Sequence, residues 1–142
     1  MRPPDIVIDT NVVISALRSK RGASAKLLRL VGTGRFEIHI SVPLILEYEE
    51  VLLRQRALLG LGADEVSEVV DGLAALSRHH RIHFLWRPYL RDEKDEMVLE
   101  LAVAARCKYI ITYNRKDFRG AGRFGIEVIT PKEFLERTGE LR

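Results

Sequence analysis

The 142-residue chain, with 46% hydrophobic and 30% charged residues, has the size and composition of a single globular domain, which we expect to span residues 1–142. Its one cysteine, Cys107, excludes an intramolecular disulfide and a cysteine-based zinc site, and no apolar run is long enough to span a membrane. The net charge of +3 permits a polyanionic partner without proving one.

The start of the chain does not have the pattern of a signal peptide, because Pro3 and Pro4 lead directly into a strand-like run. We therefore expect a cytoplasmic protein without a membrane attachment. In that reducing compartment, Cys107 is expected to be a small buried hydrophobe.

The first half of the chain alternates strand-like and helical patterns. The β-branched run from Asp5 to Asp9 predicts a short buried strand, and Thr10 and Asn11 have the residue types that cap a following helix over 12–17. Further patterns predict a helix over 23–31, a strand over 36–40, a helix from Ser41 to about Arg56, and a helix over 64–77.

The second half continues the alternation. Its patterns predict a weak strand over 82–85, a helix over 94–106, strands over 109–112 and 126–129, and a final helix over 131–137. The glycine-rich segment 120–125 does not link a strand to a helix, so we interpret it as a loop rather than a phosphate-binding turn. Alternating strands and helices predict an α/β fold with a parallel sheet and helices on both faces, whose ligands bind beyond the carboxyl ends of the strands.

Asp9 is the first acid at such a position. A carboxylate at the end of an apolar strand lies next to buried surface, where an unpaired charge is costly, so it needs a cation, a helix N-terminus or another partner. The alternative is an aspartate that only caps the next helix. Asp5 begins the same strand, at the opposite edge, and is expected to be a solvated turn residue.

Two further acids lie in or at the start of predicted helices. Glu47 shares a helix face with the apolar Leu44 and Val51, so it is unlikely to be fully solvated, although an exposed glutamate remains the alternative. Asp95 opens the helix over 94–106, where the helix dipole favours an anion whether or not it has a further role. Asp92 has the same ambiguity.

The last polar group follows the strand over 109–112. Asn114 and Asp117 lie three residues apart there, and each is as well explained as a turn former as by a role in a site. The hydroxyl of Thr112 is placed to bond a neighbouring carboxylate.

Acids gathered at one sheet edge would raise one another's pKa, and a hard divalent cation would relieve that repulsion. Mg²⁺ takes oxygen ligands, usually one or two carboxylates with water and substrate phosphate. Basic residues also cluster beside the first and last acids; they are Arg18, Lys20 and Arg21, and Arg115, Lys116 and Arg119. Solvated loops are the ordinary explanation of such clusters, but with the acids they indicate phosphodiester hydrolysis.

Other candidates are weaker. His79, His80 and His83 lack the glutamate of a zinc-protease motif and are interpreted as surface or core histidines. Trp86 is expected to pack in the core or at its rim, whereas Tyr113, beside the acids, leaves base stacking open.

These residues together resemble the PIN-domain family, and more narrowly the VapC-like toxin components of type II toxin–antitoxin pairs. The resemblance rests on Asp9-Thr10-Asn11 after an apolar strand, on Glu47 in its apolar helix, on Asp95 before Leu101-Ala102, and on Thr112-x-Asn114-x-x-Asp117-Phe118. It covers about residues 5–135. It implies a three-layer α/β/α fold with a mostly parallel sheet, Mg²⁺- or Mn²⁺-dependent endoribonuclease activity, frequent homodimers and often a small cognate antitoxin.

Carried over by position, Asp9, Glu47, Asp95 and Asp117 match the family's acidic quartet. Asn114 stands where many members carry a further acid, which leaves Asp117 as the contributor. Asn11 and Thr112 match supporting polar positions, and Asp92 either helps or is passive.

The leading hypothesis is therefore a ribonuclease acting on single-stranded RNA. In it, Asp9 and Asp95 bind the metal, Glu47 binds it or orients the attacking water, and Asp117 completes the shell or acts through a second ion. The residues expected to hold the RNA backbone are Arg18, Lys20, Arg115 and Lys116.

Two alternatives remain open. One is an inactive RNA- or protein-binding module on the same fold. The other is a phosphatase with Asp9 as nucleophile, for which haloacid-dehalogenase-like enzymes need a second aspartate where this chain has Asn11.

Overall fold

The computed structural model describes residues 2–81 and 93–140, with only the backbone described at 93 and 94. Its strands are β1 (Asp5–Ile8), β2 (Glu37–Ser41), β3 (Arg78–His80), β4 (Tyr109–Ile111) and β5 (Glu127–Ile129). Its α-helices are α1 (Thr10–Arg18), α2 (Ala23–Arg29), α3 (Val42–Leu59), α4 (Ala63–Leu76), α5 (Glu93–Ala104) and α6 (Pro131–Arg137). The strand predicted over 82–85, together with His83, Trp86 and Asp92, lies outside the described residues.

The five strands form one sheet in the order β3-β2-β1-β4-β5, and every neighbouring pair is parallel. The α-helices flank this sheet, so the predicted α/β/α architecture is confirmed. The register pairs Ile6 with Ile38 of β2 on one side, and Ile8 with Ile111 of β4 on the other. The carboxyl ends of β1 and β4 are therefore side by side.

The central strands are buried on both faces, which is why they appear in the sequence as continuous apolar runs. Ile6, Val7 and Ile8 of β1 are each at most 2% exposed, and Ile110 and Ile111 of β4 are fully buried. This buried pair of strands is the centre of the fold, and polar residues follow its carboxyl ends.

The ends of α3 follow the predicted signals. The hydroxyl of Ser41 accepts a hydrogen bond from the backbone N–H of Leu44 at 3.3 Å, so Ser41 caps the helix as expected. At the other end, Gly60 has a φ of 69°, a left-handed conformation that favours glycine and ends the helix. The cap at Ser41 places the first turns of α3 directly after β2.

The segment predicted as a loop over 120–125 contains a 3₁₀ turn, Ala121–Phe124. Gly120 and Gly125 bound this turn with φ values of 93° and 74°. Ala121 is only 1% exposed and joins the hydrophobic core. The loop prediction missed this turn because Ala121 is its one buried residue, and a single buried residue leaves no periodicity in the sequence.

The expectation of a solvated Asp5 was wrong. Its side chain is 13% exposed, and its Oδ1 lies 2.8 Å from Nε2 of the buried His39, while Oδ2 lies 3.2 Å from a guanidinium nitrogen of Arg2. Asp5 does lie at the sheet edge opposite Asp9. The error arose because the register of β1 against β2, rather than local sequence, brings His39 beside it.

Cys107 is 5% exposed and free, in agreement with its predicted role as a buried hydrophobe. Burial raises the pKa of its thiol to about 12, and the charge of Asp5 adds to this effect. Across residues 2–81 and 93–140, no helix combines the length and the apolar character that crossing a bilayer requires.

Candidate functional site

Asp9 lies at the junction of β1 and α1, at the carboxyl edge of the sheet. Its backbone N–H donates to the carbonyl of Ile111 at 2.9 Å, so the end of β4 fixes its position. One carboxylate oxygen, Oδ1, accepts from the N–H of Thr10 at 2.8 Å, which makes Asp9 the N-cap of α1. Capping of α1, the alternative role predicted for Asp9, thus accounts for Oδ1 only. The other carboxylate oxygen, Oδ2, has a different partner.

That second oxygen, Oδ2, accepts a hydrogen bond from the hydroxyl of Thr112 at 2.7 Å. The Asn11 amide nitrogen lies 3.3 Å from the same oxygen and 3.2 Å from the Thr112 hydroxyl. The N–H of Asn114 donates to that hydroxyl at 3.0 Å. Residues from the ends of two neighbouring strands therefore fix the orientation of one buried carboxylate.

The electrostatics of Asp9 depend on two other acids. Burial raises the pKa of Asp9, the hydrogen bonds from Thr112 and Thr10 oppose this rise, and the charges of Asp117 and Glu47 add to it. Asp117 and Glu47, from two other elements, are thus each within electrostatic reach of Asp9. The repulsion that they exert on Asp9 favours a bound cation at this edge.

Glu47 is 8% exposed and lies on the buried face of α3, as its spacing from Leu44 and Val51 indicated. Next to it, the hydroxyl of Tyr48 donates to the backbone carbonyl of Ile8, the last residue of β1. Burial and the charge of Asp9 raise the pKa of Tyr48, so its hydroxyl stays protonated and remains a donor. This contact holds the second turn of α3 against the carboxyl end of β1.

Asp95 lies in the first turn of α5 and is half-buried. The 12-residue helix is about 18 Å long. Shortly after it ends, the N–H of Lys108 donates to the carbonyl of Asp5, at the amino edge of β1. Because α5 also packs against β1 and β4, its first turn points toward their carboxyl edge, the edge that carries Asp9.

Glu96 is a buried acid that was not predicted as a site residue from the sequence. It is 8% exposed and lies next to Asp95 in the first turn of α5. Its spacing from the buried Leu99 would have indicated a buried face, since residues three apart share one side of a helix. The charge of Glu96 also adds to burial in raising the pKa of Glu100, one turn further along.

Asp117 lies in a 3₁₀ turn, Arg115–Phe118, that follows β4. Its N–H donates to the carbonyl of Asn114 at 3.0 Å, and Phe118, 2% exposed, fixes the turn to the core. The Asp117 side chain is exposed. Asn114 and Asp117 therefore form a turn, which was the alternative to a role in a site. The negative charge of Asp117 nevertheless raises the pKa of Asp9.

The structure separates the two basic clusters. Arg115 and Lys116 are exposed on the same turn as Asp117, and Arg115 pairs with Glu133 at 3.4 Å. Arg18 ends α1, about nine residues and 13 Å along the helix from Asp9, and Lys20 lies beyond it. Of the four residues expected to hold RNA, Arg115 and Lys116 are the two that lie on the turn carrying Asp117.

The acids at the carboxyl edge have the donor chemistry of a site for a hard metal ion. Within the described ranges, no three His, Cys, Asp or Glu side chains are grouped tightly enough to hold an ion as they stand. Mg²⁺, however, is commonly bound by only one or two carboxylates, with water and substrate phosphate completing its shell. The oxygen-only donors and the repulsion at Asp9 fit a hard cation of that kind.

The chain is similar to a known family and to solved structures. The family model described as "PIN domain" matches residues 5–116. Nineteen chains of solved structures match significantly. One, described as the crystal structure of VapBC2 from Rickettsia felis bound to a DNA fragment from their promoter, matches with a TM-score of 0.60 and 13% sequence identity over 87% of this chain and 98% of that one. Comparison with curated proteins gave no significant match.

Proposed function

This chain belongs to the PIN-domain family, and from that premise we propose that it is an endoribonuclease that cuts single-stranded RNA with a divalent metal ion. The observation that carries the proposal is the state of Asp9. A buried carboxylate is held by Thr112 and Thr10, and its pKa is raised by burial and by the charges of Asp117 and Glu47. A divalent cation is the simplest group that compensates such a cluster.

The residues that would hold Mg²⁺ or Mn²⁺ are Asp9, Asp95, Glu47 and Asp117, of which one or two would bind directly. When bound, the ion would activate water and neutralise the charge that develops on the phosphate. Thr112 and Asn11 keep the Asp9 carboxylate oriented, because both bond its Oδ2 atom. In this proposal, the buried Glu47 orients the attacking water.

The RNA backbone would first meet Arg115 and Lys116, because both are exposed on the turn that carries Asp117. Arg115 would exchange its contact with Glu133 for a phosphate. Arg18 and Lys20 would hold the strand further from the cut, at the end of α1. These contacts are electrostatic, so binding should weaken as salt is raised.

The wider role that we propose is that of a toxin with a small cognate antitoxin, acting as a homodimer. The support for the toxin and antitoxin roles is the similarity in fold to VapBC2 from Rickettsia felis, whereas the homodimer follows from the family resemblance alone. A reading frame for a small DNA-binding protein beside this gene would support the role. So would growth arrest on expression of the wild-type chain but not of Asp9→Asn, relieved by coexpression of that neighbour.

The direct test of the nuclease is cleavage of a mixed-sequence single-stranded RNA, followed on denaturing gels with Mg²⁺, Mn²⁺ or EDTA. We expect cleavage that needs the metal and is lost in Asp9→Asn. The matched control is Asp64→Asn, because Asp64 is an exposed aspartate on α4. Cleavage of single-stranded DNA and of duplex RNA, measured in the same assay, defines the substrate class.

A second candidate is an inactive module that binds RNA or protein. One observation favours it, namely that the described part of the chain contains no ready three-ligand group. It predicts no binding of Mg²⁺ or Mn²⁺ at millimolar concentration and no cleavage under any condition. Metal-dependent cleavage that Asp9→Asn abolishes would eliminate it.

A further inference from the structure

Tyr113 is a large aromatic side chain left half-exposed beside the acids. It directly follows Thr112, whose hydroxyl bonds Asp9, and it is 46% exposed. The residues before it, Ile110, Ile111 and Thr112, are fully buried. The chain therefore presents a flat ring at the point where it emerges from the sheet.

This ring is fixed at both ends. Its hydroxyl lies 2.5 Å from the hydroxyl of Ser24, a residue of α2 that is 1% exposed. Its backbone N–H donates to the side-chain oxygen of Asn11 at 3.4 Å, and the amide nitrogen of the same Asn11 bonds Asp9. Asn11 thus connects the position of Tyr113 to that of the carboxylate.

A fixed and exposed ring suits the binding of a flat partner. Burying it against a ligand would remove apolar surface from water, and little side-chain freedom would be lost because the ring is already held. The hydrogen bond to Ser24 explains why the Tyr113 hydroxyl is held. It does not explain why Tyr113, held in this way, remains 46% exposed beside the acids.

We propose that Tyr113 is a stacking platform for one nucleobase of the RNA, next to the phosphate that is cut. The inference rests on the proposed nuclease function and adds a base-binding subsite to it. Stacking tolerates every base, because each has a π-face. The subsite therefore positions the strand and requires an unpaired base, which selects single-stranded RNA.

The test compares cleavage of two oligonucleotides, one with a normal base and one abasic at the position next to the cut. Tyr113→Leu should lower kcat/KM about tenfold on the first and leave the second unchanged. Tyr113→Phe keeps the ring and should retain most activity on both. The matched control is Phe124→Leu, because Phe124 is a 39% exposed aromatic residue that lines a pocket with Cys107 and Lys108 at the opposite edge.

A second measurement uses the wild-type chain. RNA with 2-aminopurine at the same position, bound in Ca²⁺ to slow cleavage, should lose fluorescence on binding because stacking quenches it. The quenching should be much weaker with Tyr113→Leu. A wild-type chain that leaves the fluorescence of bound RNA unchanged at every position near the cut would overturn the platform.

The outcomes separate the two proposals. If the wild type cleaves RNA but Tyr113→Leu equals it, or loses activity equally on both oligonucleotides, the platform is wrong and the nuclease stands. If the wild type neither binds nor cleaves RNA with any metal, the proposed function fails and the platform fails with it. An effect confined to the base-containing RNA supports both.

Discussion

The hydroxyl of Thr112 donates a 2.7 Å hydrogen bond to Oδ2 of Asp9, joining two residues that are 103 positions apart in the chain. The pairing of β1 with β4 produces this contact, since the two residues follow paired strand ends. The bond stabilises the ionised carboxylate and so lowers the pKa of Asp9 against the effect of burial.

Thr112→Val removes that hydrogen bond while keeping the shape of the side chain. The pKa of Asp9 should rise further, so the carboxylate should ionise only at higher pH. We expect the acidic limb of the kcat/KM profile for RNA cleavage to move to higher pH. Thr112→Ser keeps the donor and should restore the wild-type profile, and an unmoved limb in Thr112→Val would contradict the assigned role.

Stability without metal should depend on pH through Asp9. Because folding raises the pKa of Asp9, the folded state keeps its proton to higher pH than the unfolded chain does. Its contribution to stability is therefore lost as pH rises through the folded pKa. A divalent ion opposes this loss, so the gain in Tm from Mn²⁺ should grow as pH rises above the ordinary carboxyl pKa of about 4. A gain independent of pH, or equal in Asp9→Asn, would count against the site.

Tyr48→Phe removes the donor that bonds the carbonyl of Ile8. It leaves a buried acceptor with one partner fewer, which should cost about 1–3 kcal/mol in the free energy of unfolding, measured with urea. The neighbouring Glu47 would lose its fixed position, so cleavage should slow as well. Leu58→Ala is the control, because Leu58 is 86% exposed and its truncation should change stability by less than about 0.5 kcal/mol.

A separate pH effect should arise between β2 and β3, where His39 meets His80. Nδ1 of His39 lies 2.6 Å from Nε2 of His80, a distance that accommodates one shared proton but not two. Burial lowers the pKa of His80, as do the charges of His39, Arg78 and His79, while Asp5 opposes them. The unfolded chain therefore binds this proton at higher pH than the folded one.

Stability should consequently fall as pH drops below about 6.5, the ordinary pKa of histidine. His80→Gln should reduce this loss, measured as the change in Tm between pH 7.5 and pH 5.5. His79→Gln is the matched control, because His79 is exposed, bonds the carbonyl of Ala74 and has the smallest of the effects on the pKa of His80. Equal acid sensitivity in His80→Gln and the wild type would show that the pair is not responsible.

Much of the fold was predictable because short apolar runs in the sequence are enough to identify its central strands. The buried run from Ile6 to Ile8 needs no partner to be recognised, and the parallel alternation places the ends of β1 and β4 at one edge. Asp9 and Thr112 could therefore be assigned to a common edge from sequence. Their hydrogen bond could not, because it depends on side-chain conformations at that edge.

The features that were missed depend on register. β3 consists of Arg78, His79 and His80, which have no strand pattern and form a strand only by pairing with β2. The same pairing brings His80 to His39, and β1 against β2 brings His39 to Asp5. Contacts set by register between distant segments leave no periodicity in the sequence.

The most direct test of the account is calorimetric titration of Mn²⁺ into the metal-free chain at pH 7.5. We predict binding at the carboxyl edge that is lost in Asp9→Asn, weakened in Glu47→Gln and Asp117→Asn, and unchanged in Asp64→Asn. Binding that is absent at millimolar Mn²⁺, or that survives intact in Asp9→Asn, would contradict the claim that these acids form a divalent-cation site.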